Sequence, residues 1–106
     1  MTTANNSDPE HGVFCVGWNL AASLNTPGAL YIEQDRLVFR ALWREWLFPR
    51  TSIRSLRVES VLFWSVIRIG HSIPKYARFD GFRPYDFPEV QRRLADAGFH
   101  VGSAKA

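Results

Sequence analysis

Few residues in this chain carry the types and spacing that chemistry needs. His11, His71 and His100 are widely separated, and none has a neighbouring pair of ligands, so no metal-binding pattern forms. His71 falls at the end of an expected strand. An imidazole there has the chemistry of a base or a ligand, but its plainer reading is a structural or turn histidine. Asp80, Asp86 and Glu89 cluster in sequence. Asp86 and Glu89 are already accounted for as helix-capping residues, which leaves no carboxylate pair for acid–base work. Cys15 is the single cysteine. It can form neither an internal disulfide nor a cysteine-rich metal site, and reads as a small buried strand residue in a reducing compartment. There is no glycine-rich phosphate loop, no G-x-S-x-G and no H-E-x-x-H. The expectation is a non-catalytic protein with no catalytic residue, metal ligand or cofactor, and no small-molecule substrate is inferred.

Arginine interleaved with aromatics is the stronger signal. Between positions 36 and 83 lie ten basic residues, nine of them arginine, against three acidic ones. The overall charge is only +3, so the middle of the chain is basic and its flanks are acidic. Arg36, Arg40, Trp43, Arg44, Trp46, Arg54 and Arg57 form the candidate binding set. Arginine favours planar, paired contacts over diffuse solvation, and arginine and tryptophan are enriched where protein interfaces concentrate their energy. A protein partner or self-assembly is the first expectation, and it requires Trp43 or Trp46 to be exposed. The alternative is an anionic membrane surface, where each arginine contributes roughly 1 kcal/mol and a tryptophan at a loop tip anchors in the interface. Nucleic acid, which would use the same groups as charge plus stacking platforms, is disfavoured by the moderate basic balance and by the plainer reading of Trp43 and Trp46 as core.

These residues need a scaffold to hold them. At 106 residues, with 46% apolar and 14% aromatic content, the chain has the size of one domain with a real core filled by large side chains. Positions 1–10 are polar and expected to be disordered, positions 11–101 to form the domain, and positions 102–106 to form a loose tail. The N-terminus lacks a basic start followed by an apolar core, so it does not read as a secretory signal. No apolar run comes near the ~20 residues that span a bilayer; the one at positions 61–64 is broken by Ser65. A cytoplasmic location is expected, with peripheral contact to the inner membrane face under the alternative reading.

Alternation of apolar and polar residues marks about seven short strands. The first covers positions 12–24, and Asn25-Thr26-Pro27-Gly28 reads as a turn. A hairpin follows with its loop at Gln34-Asp35. That loop sets Glu33 against Arg36, Ile32 against Leu37 and Leu30 against Phe39, with the ion pair outside and the apolar groups inside. Positions 42–48 read as a strand ended by Pro49, and positions 53–59 as another. The longest, positions 61–71, carries Phe63, Ile67 and Ile69 on one face. Ser72-Ile73-Pro74-Lys75 is a turn, and positions 76–82 the last strand. A helix at about 86–97 then has both ends specified: Asp86 as N-cap with Glu89 three residues on, Pro88 in the first turn and Gly98 at the end. Phe87, Val90, Leu94 and Ala97 share one face, leaving Gln91, Arg92, Arg93 and Asp96 for solvent. A helix this short must dock to be stable. The expected fold is mainly β with one C-terminal helix (α+β), an antiparallel sheet bent into a barrel and closed by that helix.

This order resembles the pleckstrin-homology and GRAM-like superfold, in particular its small bacterial members. The resemblance is carried by Gly28-Ala29-Leu30-Tyr31-Ile32 running into Arg36-Leu37-Val38-Phe39, by Phe48-Pro49-Arg50 before Ile53, by Ile67-Arg68-Ile69, by Phe79 before the helix, and by Gly98-Phe99 after it. It spans positions 12–101. It implies two roughly orthogonal sheets with a helix closing one end, and a non-enzymatic role in binding lipids, peptides or proteins. Members that bind phosphoinositides carry lysine and arginine on the first hairpin, whereas positions 12–35 here contain neither. Headgroup recognition at that usual site is therefore not expected.

Overall fold

The computed structural model describes residues 12–18, 25–41, 44–61, 63–77 and 79–103. The expected disorder of positions 1–10 and the expected strand content of positions 19–24 lie outside these residues. The chain forms β1 (Val13–Trp18), β2 (Asn25–Ile32), β3 (Arg36–Ala41), β4 (Arg44–Pro49), β5 (Ile53–Val61), β6 (Trp64–His71), β7 (Gly81–Pro84), the helix α1 (Phe87–Asp96) and a two-residue strand β8 (Gly102–Ser103). Their order across the sheet is β4-β3-β2-β1-β7-β6-β5-β8. Strands β1 to β7 pair antiparallel and curl into a half-barrel with the helix C-terminal to it. The α+β class expected from the sequence is the observed one.

The β2–β3 hairpin has the expected register. Ile32 faces Leu37 and Leu30 faces Phe39, all four are buried, and Arg36 Nε donates to Glu33 Oε1 at 2.8 Å outside. The core joins these residues to Cys15, Trp46, Phe48, Leu56, Ile67, Ile69, Phe79 and Phe82. Phe48 and Phe79 are its centre, with ring centroids 5.2 Å apart. The helix buries Val90 and Leu94 against this core, and Phe99 follows them in.

Asp86 caps the helix by accepting the Glu89 backbone N–H on Oδ1 at 3.2 Å, and Gly98 ends it at a φ of +87°, a conformation that costs a side-chain-bearing residue energy. Arg93 departs from expectation: it is buried, not solvated. Position 93 lies three residues after Val90, so it falls on the docked stripe.

Four further expectations are corrected. Asn25-Thr26-Pro27-Gly28 is not a turn but the first half of β2, paired with residues 15–18 of β1. Gly28 is there because β3 comes so close that a Cβ would sit 2.2 Å from the Arg40 carbonyl oxygen; in a strongly curved sheet, glycine and proline mark close approach as well as turns. Positions 76–82 do not form the last strand. Pro74–Tyr76 is a 3₁₀ turn, Phe79 drops into the core, and the strand is Gly81–Pro84. Phe63 does not share a face with Ile67 and Ile69, because it sits in the turn between β5 and β6, almost wholly exposed. Within the expected loose tail, Gly102 and Ser103 pair in parallel with Arg57 and Val58 of β5.

Candidate functional site

The candidate set read from the sequence is dispersed by the fold. Arg36 and Arg40 lie on β3, and Arg44 and Trp46 on β4, at one end of the strand order; Arg54 and Arg57 lie on β5, towards the other. Trp43 lies outside the described residues. Trp46 is only 5% exposed and packs against Phe39 and Phe79 at 5.5 Å each, so it is a core residue. Arg44 lays its guanidinium over the Trp46 ring at 4.6 Å, lidding the core.

Arg36 and Arg40 are engaged locally. Hydrogen bonds to Glu33 and Glu45 hold their guanidinium pKa values above the ordinary arginine value, and Arg40 also stacks 5.1 Å from the Tyr31 ring. Arg54 and Arg57 are exposed with no ion-pair partner among the described residues. Arg57 stands directly across from Arg68, which is 3.4 Å from Glu59.

Groups with acid–base potential are in structural use. His71 Nε2 lies 3.1 Å from the Phe79 carbonyl oxygen, and its Nδ1 accepts the Ile73 N–H at 3.2 Å. Those two partners fix the neutral tautomer with the proton on Nε2, and the ring packs edge-on to Phe48. An open cleft beside it, about 530 Å³, is lined by Arg68, Ser72, Phe79 and Asp80 among others. Cys15 is buried, and desolvation pushes its thiol up to about 12. Among the described residues no three His, Cys, Asp or Glu come together to hold a metal ion, and no helix is long and apolar enough to cross a membrane.

The sheet edges are guarded. On β4, the Leu47 N–H donates to the Tyr76 hydroxyl at 3.2 Å, and Pro49 has no N–H to offer. On β5, positions 57 and 58 carry β8. An edge treated this way resists addition of a foreign strand.

What the fold exposes is a different aromatic surface. Along β1, Phe14 is exposed while Cys15 enters the core, and Val16 is buried. Arg83 stands opposite Val16. Phe14 (70% exposed) and Tyr85 (68%) pack with ring centroids 6.0 Å apart. Trp64 (49%) opens β6, and the Arg83 guanidinium lies 4.4 Å from its ring centroid. Phe63 (95%) stands at the adjoining turn. Phe14, Tyr85 and Trp64 thus form a row across β1, the end of β7 and β6, with Arg83 one residue pair behind it. No sequence expectation named this row. Its traces in the sequence are the alternation of Phe14 with Cys15 and the apolar run at positions 61–64.

Arg50, also outside the candidate set, has a structural task. Its guanidinium donates to the carbonyl oxygens of Gln34, Ala97 and Gly98 and lies 4.2 Å from the Phe99 ring centroid. It ties the β2–β3 hairpin to the C-terminal end of the helix. Comparison of the chain with protein-family models and with curated proteins gives no match, so the functional reading rests on this geometry.

Proposed function

We propose that this chain is a non-catalytic binding module of the pleckstrin-homology-like superfold, with residues 11–101 as its domain, and that it recognises protein through the outer aromatic row. The half-barrel followed by a C-terminal helix supports the fold assignment. The observation that carries the functional reading is the exposed set of Phe14, Tyr85 and Trp64 beside Arg83, with Phe63 exposed at the adjoining turn. Taking about 200 Å² for a whole aromatic side chain, these four expose about 550 Å². That is at the upper end of the largest apolar patch an ordinary monomer shows, and it combines the residue types that anchor interfaces. The guarded edges of β4 and β5 argue that side chains, not an added strand, make the contact.

The second reading, an anionic membrane surface, draws on Phe63 at a hairpin tip with Arg54 and Arg57 solvent-facing on the same hairpin. Size-exclusion chromatography with light scattering separates the two, run at low and high salt with anionic vesicles in parallel. Protein recognition predicts an association that persists at high salt, ignores vesicles and is lost in Phe63→Ser/Trp64→Ser. A monomer that moves to the vesicle fraction only at low salt refutes it, because surface electrostatics are screened by salt.

A further inference from the structure

We infer that the occupant of the aromatic row is a second copy of this chain, and that the two copies meet across a two-fold axis running along the row, with Asp86 of each copy against Arg83 of the other. The inference rests on the protein-binding reading above and names its partner.

Charge decides the orientation. In chain order the row is flanked by opposite signs. Arg83 precedes Tyr85 and stands one residue pair inside the sheet, opposite Val16. Asp86 follows Tyr85, outside the sheet at the start of the helix, and is exposed. Asp86 spends Oδ1 on the Glu89 N–H, and its other oxygen has no partner among the described residues. Arg83 has no carboxylate partner among them either; its guanidinium is presented flat over Trp64.

A two-fold axis parallel to the strands and passing over β7 would stack Arg83 on Arg83, which like charges oppose. A two-fold axis along the row exchanges its two sides. It lays aromatic on aromatic and brings the acidic flank of each copy over the basic flank of the other. A contact of this kind is self-complementary, so each favourable pair occurs twice.

The areas agree. A stable interface needs about 800 Å² per partner, and the row together with Phe63 at the adjoining turn supplies about 550 Å² of it as exposed aromatic surface. Its flanks, including Arg83 and Asp86, are there to supply the remainder.

The test is a charge exchange read by light scattering or analytical ultracentrifugation over a dilution series. The wild type is expected to dimerise. Arg83→Asp puts Asp against Asp86, and Asp86→Lys puts Lys against Arg83, so each variant alone is expected to weaken the dimer at least ten-fold. An equimolar mixture of the two restores both opposite-charge pairs, and is expected to dimerise nearly as well as wild type. Asp86→Asn keeps the helix cap while removing the charge; it is expected to weaken the dimer while melting at the wild-type temperature at dilutions where both proteins are monomers, which separates loss of pairing from loss of fold.

A dimer that ignores the charge variants but is lost in Phe63→Ser/Trp64→Ser overturns the oriented pairing and keeps the face as the docking surface. A monomer at every concentration overturns the second copy as occupant. A monomer that co-sediments with anionic vesicles overturns both this inference and the protein-binding reading beneath it.

Discussion

Arg50 is the most exacting test of how the helix is held. Its guanidinium reaches three backbone carbonyl oxygens, of Gln34, Ala97 and Gly98, and one aromatic face, Phe99. Two of the carbonyls belong to the end of the helix, where orphan acceptors and the negative end of the helix dipole both favour a cation. Hydrogen bonds to a buried charged donor contribute about 1.5–3 kcal/mol each. Arg50 is solvent-exposed as a residue, so screening lowers the whole arrangement to about 2 kcal/mol. For a domain of this size that corresponds to a fall in Tm of roughly 8–16 °C for Arg50→Ala. Arg50→Lys retains the charge but not the planar fork, and an ammonium on a flexible stem cannot serve the hairpin and the helix end together. It is expected to recover less than half of the loss. Thermal denaturation followed by far-UV circular dichroism measures both variants. A lysine variant as stable as wild type would show that charge near the helix end suffices and that the three-carbonyl geometry contributes nothing.

Other outcomes follow from burial and titration. Leu94→Ala leaves a cavity under the helix and is expected to cost about 2–5 kcal/mol in urea unfolding; an unchanged midpoint refutes the docked helix. Phe63→Ser is expected to leave the stability of the monomer, measured at high dilution, within about 0.5 kcal/mol, since the ring is almost wholly exposed on its own chain; a large loss there would place Phe63 in the core. His71→Ala loses a donor and an acceptor to the backbone and is expected to cost about 1–3 kcal/mol, measured by the same melts, and a neutral result would remove its structural role. Cys15 gives the pH prediction. Its folded pKa is raised to about 12 from an ordinary value of 9.0, so between these values the unfolded state releases the proton first and stability falls as pH rises. Relative to Cys15→Ala, wild type is expected to lose up to about 1.4 kcal/mol per pH unit above pH 9. Parallel pH dependence of the two proteins would refute the burial of the thiol.

The parts of the fold legible in the sequence are those where local signals agree with each other. At the Gln34-Asp35 hairpin, alternation, ion pairing and loop length all point to one register, and Asp86, Glu89, Pro88 and Gly98 specify the helix in the same way. Legibility fails where a residue answers to a distant neighbour. Pro27 and Gly28 carry turn chemistry, but the approach of Arg40 from the next strand requires glycine inside β2. Arg93 is charged yet falls on the docked stripe. The site is legible only in kind. The exposed row also sets an arginine beside aromatics, but it is assembled from β1, β6 and the residue after β7. Trp46, chosen for its arginine neighbours, is drawn into the core by Phe39 and Phe79, and only the packing of the closed sheet distinguishes it from Trp64.

The place of β1 in the strand order has a kinetic consequence. Strands β2, β3 and β4 form a local meander, and β5 and β6 a local hairpin, each closable within a few residues. They join through β1 and β7, which pair Cys15 with Pro84 across most of the chain. Closing that loop costs entropy before any of its contacts repay it, so the stitch between the two halves is expected to limit the rate of folding, which φ-values at the β1–β7 pairs would check. The transition state must hold Phe39, Phe79 and Phe82 together before the central strands zip. Refolding belongs to the millisecond-to-second class of non-local β-proteins rather than the microsecond class of helical bundles. Until the stitch is made, the edge of β1 that will receive β7 stands open. Dilute refolding should therefore succeed where concentrated refolding aggregates.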